Sequence, residues 1–324
     1  MPFTKFTNLD FDQIKTSIKD YLRANSNFTD FDFDGSNFSV VIDTLAYNTY
    51  ITAFNTNMAV NESFLDSATL RENVVSLARN VGYVPRSKSA AEATVSFNVQ
   101  TASATGQLIL KAGLVCVGGV DNTSYTFSIP QNITTNIISN VASFNNITVY
   151  QGAYLTKTFT VDTSYNQRFI LENADIDTST LVVKVGTRTY KQIENIITVN
   201  KDSEIYLLQE IPDEKYELLF GDGIIGKKLN NGDTITVSYI TTQGSSGNGP
   251  SLFSYAGTTT NSDDTIINPS NSVNITTVSK ASGGGDIEPI ESIKYFAPRT
   301  YSAQNRAVTT RDYEAIIQNV YPYR

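Results

Sequence analysis

The residues whose types and spacing could do chemistry begin with Gly221-Asp222-Gly223-Ile224-Ile225-Gly226, followed by Lys227. The run fits G-x-G-x-x-G and most of G-x4-G-K. A phosphate cradle of either kind needs its glycines to end a strand and open a helix, whose first amides hold the anion. Here the chain continues as Lys228-Leu229-Asn230-Asn231-Gly232-Asp233, a turn and then a strand. Lys228 also stands where a Ser or Thr hydroxyl would reach magnesium. The expected element is therefore a hairpin turn built on Phe220, Gly221, Asp222, Gly223, Gly226 and Gly232, with the glycines supplying positive φ.

Asp30-Phe31-Asp32-Phe33-Asp34-Gly35 imitates the opening of a calcium loop, but its twelfth position, which should be a bidentate glutamate, is Val41. Asp34-Gly35-Ser36 is better read as a helix cap, with Asp34 or Ser36 capping a helix that begins near Asn37. Scattered carboxylates such as Glu204, Glu210 and Glu217 leave a glycoside-cleaving pair open, yet nothing sets any two apart. Cys116 lies in the apolar run Leu114-Val115-Cys116-Val117, which favours a small buried residue over a reactive thiol. No catalytic, cofactor-binding or metal-ligating set emerges, and the chain is read as a non-enzyme.

Composition narrows the classes further. The sequence contains no histidine, which removes Ser-His-Asp and Cys-His catalysis and histidine-ligated zinc. One cysteine excludes an intrachain disulfide framework. A net charge of −8 disfavours a nucleic-acid partner, whose footprint is a basic face. The N-terminus lacks the apolar core of a secretory signal, and no stretch reaches the ~20 apolar residues of a membrane span. Expected is a soluble protein made in a reducing compartment, with no nucleic-acid or membrane partner.

The elements that must position these residues change character along the chain. Apolar residues at helical spacing (Phe11, Ile14, Ile18, Leu22; Phe38, Val41, Ile42, Leu45, Thr49, Ala53; Leu70, Val74, Leu77, Ala78, Val81) give a helical region over 1–90. Asp10 and Gln13 are placed as a capping box, and Gly82 with Pro85 stops the third helix. These stripes read as core, while Tyr47, Tyr50 and Phe54 lie off the main stripe of the second helix. From 91 to 243 the period becomes two, as in Val95-Ser-Phe97-Asn-Val99, which gives a β-rich domain of antiparallel strands without crossover helices. Residues 244–286, rich in Gly, Ser, Thr and Asn, read as an extended arm or a linker. As an arm it would reach a neighbouring subunit through Leu252, Phe253, Tyr255, Ile266 and Ile267. Helical pattern returns over 287–324, at Ile287–Phe296 and Thr309–Val320, with Tyr313, Ile316 and Ile317 as further contact candidates. The fold class is α+β, and the abrupt stop at YPYR suggests a missing C-terminal part.

A resemblance adds to this reading. Glu217-Leu-Leu-Phe220-Gly221-Asp222-Gly223, then Gly226, Asn231-Gly232-Asp233, Tyr239, Gly244, Gly247 and Asn248, resembles the pattern of the baseplate J-like family. Ser282-Gly283-Gly284-Gly285, Glu288, Ala297-Pro298 and Asp312-Tyr313-Glu314 look like that family's next block. Phe33-Asp34-Gly35-Ser36-Asn37, Leu45-Ala46-Tyr47-Asn48 and Asn61–Ala68 resemble the T-even-type branch of baseplate wedge proteins. The resemblance implies a virion protein of a contractile phage tail, assembled in the host bacterial cytoplasm and needing no cofactor. It implies a second copy of itself, a helical wedge protein, and other wedge and sheath-initiator proteins as partners. The expected function is to join wedges into a ring around the hub and to take part in the rearrangement that triggers sheath contraction. The alternative is a tail-fibre-like or glycan-processing β-protein of the virion, which a cleft with two carboxylates about 5–10 Å apart would favour.

Overall fold

The computed structural model describes residues 10–25, 36–102, 106–120, 122–193, 199–304 and 306–320. Asp34 and Gly35 of the expected helix cap lie outside the described residues, as does the calcium-like run before them. The chain divides into two compact units, one formed by the part up to Tyr83 with Ile290–Tyr301 and one by Val84–Pro289 with the part from Ser302 onward.

In the first unit, α1 (Phe11–Asn25) opens on Asp10, whose Oδ1 accepts from the Asp12 and Gln13 amides at 3.0 and 3.1 Å. The second helix, α2 (Asn37–Glu62), is capped by Ser36, whose Oγ accepts from Ser39 N at 3.1 Å. The third, α3 (Arg71–Asn80), ends just before Gly82, where φ is +77°. Ala68, Val74, Val75, Ala78 and Tyr83 form a buried cluster with Ile293 and Ala297 of α4 (Ile290–Ala303). Helical spacing placed the end of α4 before Pro298, yet the helix runs through it. The proline ring removes an N–H and displaces a carbonyl, and Arg299 Nη1 donates to Tyr295 O at 2.5 Å in the same turn. The last helix, α5 (Thr310–Val320), belongs to the second unit and starts where Asp312 Oδ2 accepts from the Val308 and Thr309 amides.

The second unit holds two sheets. The first uses β1 (Glu92–Gln100), β2 (Gln107–Leu110), β3 (Gly113–Val120), β4 (Thr123–Ile129), β5 (Ile133–Ile138) and β6 (Val141–Gln151). It is completed by β14 (Phe253–Tyr255), β15 (Thr259–Thr260) and β16 (Ile275–Ser282), so it has nine strands. Antiparallel pairing runs β16-β1-β6-β4-β3-β14, and a Ser254–Asn274 bridge links β14 back toward β16. A branch continues β6-β5-β2-β15. Inserted in the chain between β6 and β14 is a seven-stranded sheet ordered β7-β13-β9-β10-β11-β12-β8. Its strands are β7 (Ala153–Thr160), β8 (Phe169–Leu171), β9 (Ile176–Val185), β10 (Arg188–Gln192), β11 (Ile205–Ile211), β12 (Lys215–Phe220) and β13 (Thr234–Thr241). Among its described residues only β10 and β11 pair in parallel.

Each sheet buries its own apolar set. Phe97, Phe127, Phe144, Leu108 and Leu110 fill the first, while Tyr216, Leu218, Leu171, Ile235 and Val237 fill the second. The alternation of β1 explains the first in miniature: Ala93, Val95, Phe97 and Val99 face in, and the residues between them face out.

Residues 244–286 do not reach away as an arm. Their strands β14, β15 and β16 complete the first sheet, and Phe253, Tyr255, Ile267, Val273 and Ile275 pack against its core. Composition misled here because the few large side chains fall at strand positions and the partner strands supply the backbone hydrogen bonds. The ordering entropy of the segment is thereby offset by the ladder rather than by its own apolar content.

Candidate functional site

The glycine-rich motif is a loop between β12 and β13, two strands that are not neighbours in the sheet, so it is a crossover and not a hairpin turn. Its amides are turned inward. Gly223 N donates to Gly226 O, Gly226 N to Asn200 O and Lys227 N to Ser203 O, at 3.0, 3.1 and 2.8 Å. Asp222 Oδ1 accepts from Ile225 and Ile224 N at 2.9 and 2.8 Å, and these bonds hold its carboxyl below the usual range. Every amide from Gly223 to Lys227 is spent within the protein, and a carboxylate sits where an anion would have to bind. The amides a phosphate cradle would present are thus donated to the protein's own oxygens.

Glycine is required at its two ends for different reasons. A Cβ on Gly221 would lie 2.2 Å from the carbonyl carbon of Gly226, so two backbone segments touch there. Gly226 has φ +82°, and a Cβ on it would also meet Ile205 at 2.8 Å. Phe220 anchors the loop edge-on to Phe169 and Tyr190, with ring centroids 5.4 and 5.8 Å away. Gly232 closes the far side, its N–H donating to Val161 O at 2.8 Å.

The candidate contact residues are split by the structure. On α2 the buried positions are Ser39, Ile42, Ala46, Asn57 and Asn61, of which only Ile42 is a large apolar residue. Phe38, Val41 and Leu45, which the helical stripe assigns to the core, are exposed instead. Val40, Tyr47 and Phe54 are 64%, 60% and 46% exposed, and Tyr50 is half-buried. The helix is thus apolar on faces its own unit does not cover. In the segment 244–286, Phe253, Tyr255 and Ile267 are spent on the first sheet, whereas Leu252 and Ile266 remain exposed. On α5, Tyr313 and Ile317 are exposed and Ile316 is half-buried.

Several structural groups gave no signal in the sequence. Glu62 at the end of α2 accepts from Thr69 Oγ1, Thr69 N, Asn73 Nδ2 and Leu70 N at 2.6, 2.8, 2.8 and 3.3 Å. It fixes the turn that leads into α3, whose N-cap residue Leu70 makes no side-chain cap bond. The buried Glu217 receives Arg168 through Nε at 2.6 Å and Nη2 at 2.8 Å, and Gln209 Nε2 at 2.8 Å. Asp177, also buried, has its carboxyl pushed up by desolvation despite accepting from Ser179 and from Ala90 N. Burial pushes the Cys116 thiol up to about 12. Among the described residues no group of three or more Asp, Glu, Cys or His side chains could hold a metal ion. No helix among them is long and apolar enough to cross a membrane.

Residues 10–83 match the family described as "Baseplate wedge protein gp6-like, helical domain". The chain is 31% identical over 332 residues to the baseplate wedge protein gp6 of Enterobacteria phage T4, aligned over 96% of this chain and 50% of that protein. It therefore spans about half the length of the curated relative it matches. A chain in the cryo-EM structure of the anti-feeding prophage baseplate, 6-fold symmetrised, aligns with 98% of this chain and 66% of its own length, at 13% identity and a TM-score of 0.33. Through its helical region, and at 31% identity over nearly its whole length, the chain is similar to phage baseplate wedge proteins of the gp6 kind.

Proposed function

We propose that the chain is a structural component of the baseplate wedge of a contractile phage tail, with no catalytic activity of its own. It joins wedges into a ring around the hub and takes part in the rearrangement that triggers sheath contraction. The observation that carries this reading is α2, whose large apolar residues Val40, Tyr47 and Phe54 face solvent while Ser39, Ile42, Ala46, Asn57 and Asn61 face inward. An apolar helical face of that extent is costly in water and is suited to burial against another helix. The similarity to a phage baseplate wedge protein supplies the context in which such a face would be covered.

On this reading α2 meets a second copy of the chain and a helical wedge protein. Leu252, Ile266, Tyr313 and Ile317 then offer smaller contacts to other wedge and sheath-initiator proteins. The glycine-rich loops, which resemble the baseplate J-like pattern, keep the β unit rigid. The site of action is the tail baseplate of the virion, after assembly in the host cytoplasm.

A stable interface of this kind buries more than about 1,000 Å². Tyr47→Glu with Phe54→Glu places two charges on the exposed face of α2 without touching its buried positions. Native mass spectrometry of the chain co-expressed with its wedge proteins should give a complex for the natural sequence and free chain for the double variant. An unchanged complex from the double variant would count against α2 as the assembly surface.

A further inference from the structure

The motif residues Gly244, Gly247, Asn248, Gly283, Gly284, Gly285 and Glu288 make no contact that the assembly role requires, and they converge with residues 84–91 at one end of the β unit. Two stretches pair there. Ser89 and Gly285 exchange backbone hydrogen bonds at 2.9 and 3.0 Å. One step outward, Glu288 N donates to Arg86 O at 3.1 Å, and Arg86 N donates to Glu288 Oε2 at 3.1 Å. The pair 86–89 and 285–288 is thus a short strap, one stretch lying just ahead of β1 and the other just after β16.

Side chains grip the strap from outside. Asn248 Nδ2 donates to Gly284 O at 2.9 Å, and Gly284 N donates to Asn248 Oδ1 at 2.8 Å, so one side-chain amide imitates a strand partner. Asp177 Oδ2 accepts from Ala90 N at 2.8 Å, and the Ser87 and Thr178 hydroxyls lie 2.9 Å apart. Ser245 Oγ donates to Asp286 Oδ2 at 2.9 Å. A Cβ on Gly284 would stand 2.5 Å from Gly244 O, so the crossing itself requires glycine.

What holds the strap differs in kind from what holds the sheets beside it. Its buried apolar groups are small, the Pro85 ring and the methyls of Ala90 and Ala91, with Ile287 half-buried, whereas the sheets bury Phe97, Phe127, Tyr216 and Leu218. Polar bonds each contribute little net stability, and the carboxylates of Asp177 and Glu288 are desolvated there, which offsets part of the gain. Regions with few apolar contacts open at lower free energy than packed strands.

We infer that residues 84–91 and 283–289 form a latch, clipped by Asn248 on Gly284, that opens as one unit while both sheets stay folded. Opening frees the chain leading into β1 and out of β16 to change course without melting either strand. The inference does not depend on the assembly role proposed above, and its test uses the free chain.

Asn248→Asp keeps the shape of the side chain but turns the donor facing Gly284 O into an acceptor. Hydrogen exchange of the full chain should then quicken roughly tenfold or more at Ser89, Gly285 and Glu288. The amides of β11 and β12 should exchange as before. Unchanged exchange in the strap, or a rise shared equally by the strap and β11–β12, overturns the latch. Should Asn248→Asp fail to fold, the natural sequence decides. Strap amides exchanging well ahead of β11–β12 under mild denaturant support the latch, and strap and sheet amides exchanging together refute it.

Discussion

Replacing Glu62 by Gln tests how the helical unit holds its turn between α2 and α3. Burial alone would raise this carboxyl. Hydrogen bonds from the Thr69 hydroxyl, the Asn73 amide and the Thr69 and Leu70 N–H groups outweigh it and lower the pKa from 4.5 to about 2. A gap of that size corresponds to about 3.4 kcal/mol at 1.36 kcal/mol for each pH unit. The carboxylate is only part-buried, and solvent screening leaves about 1–2 kcal/mol of it as stability. The depressed pKa sets the sign. The contribution is full above pH 4.5, and it is lost as the pH falls toward 2 and the folded-state carboxyl takes up its proton. Hydrogen exchange of the α3 amides in natural and Glu62→Gln chains, each corrected for intrinsic rate, reads this directly. At pH 6 the variant should exchange roughly 5- to 30-fold faster through α3, and the two should converge as the pH approaches 2.5. A difference that stays constant across that range would refute the ionic origin of the Glu62 contribution, and no difference at pH 6 would refute its hold on the turn.

The same geometry sets further outcomes. Gly221→Ala should lower stability by about 1–3 kcal/mol in urea unfolding, because its Cβ would press on the Gly226 backbone. Titration of the natural chain with ATP or NAD by calorimetry should give no heat of binding, since the amides of Gly223–Lys227 are already donated. Arg168→Met should lower the urea midpoint by stripping the buried Glu217 of its counter-charge. Arg168→Lys should recover only part of it, lacking the two-pronged geometry. Cys116, fully buried with its thiol pushed up to about 12, should resist a thiol reagent at pH 8 in the folded chain and react at once in denaturant.

Local signals carried the fold a long way and failed where pairing is non-local. The stripe Leu70, Val74, Leu77, Ala78 with Gly82 after it is a complete local statement of a helix, and α3 forms there. The alternation Val95, Phe97, Val99 is equally complete for β1. The loop after Phe220 was misread because a Gly-Asp-Gly turn between strands looks the same whether the strands are neighbours or lie apart in the sheet, as β12 and β13 do. In residues 244–286 average composition hides that Phe253, Tyr255 and Ile267 pack against the core of the first sheet. On α2, helical spacing identified the apolar residues but could not say which face the unit would cover. Ala46 and Asn57 are buried while Leu45 and Phe54 are not. Glu62 is silent because its partner Thr69 is chosen by the chain's path, and Asn248 and Gly284 stand out as motif residues without showing that they pair.

Electron microscopy of an intact tail, with density assigned to this chain, tests the central claim most directly. The account predicts that the chain occupies the baseplate and that the α2 face bearing Val40, Tyr47 and Phe54 is buried against a helix of another subunit. A chain located elsewhere in the particle, or an α2 face left open to solvent within the assembled baseplate, would contradict it.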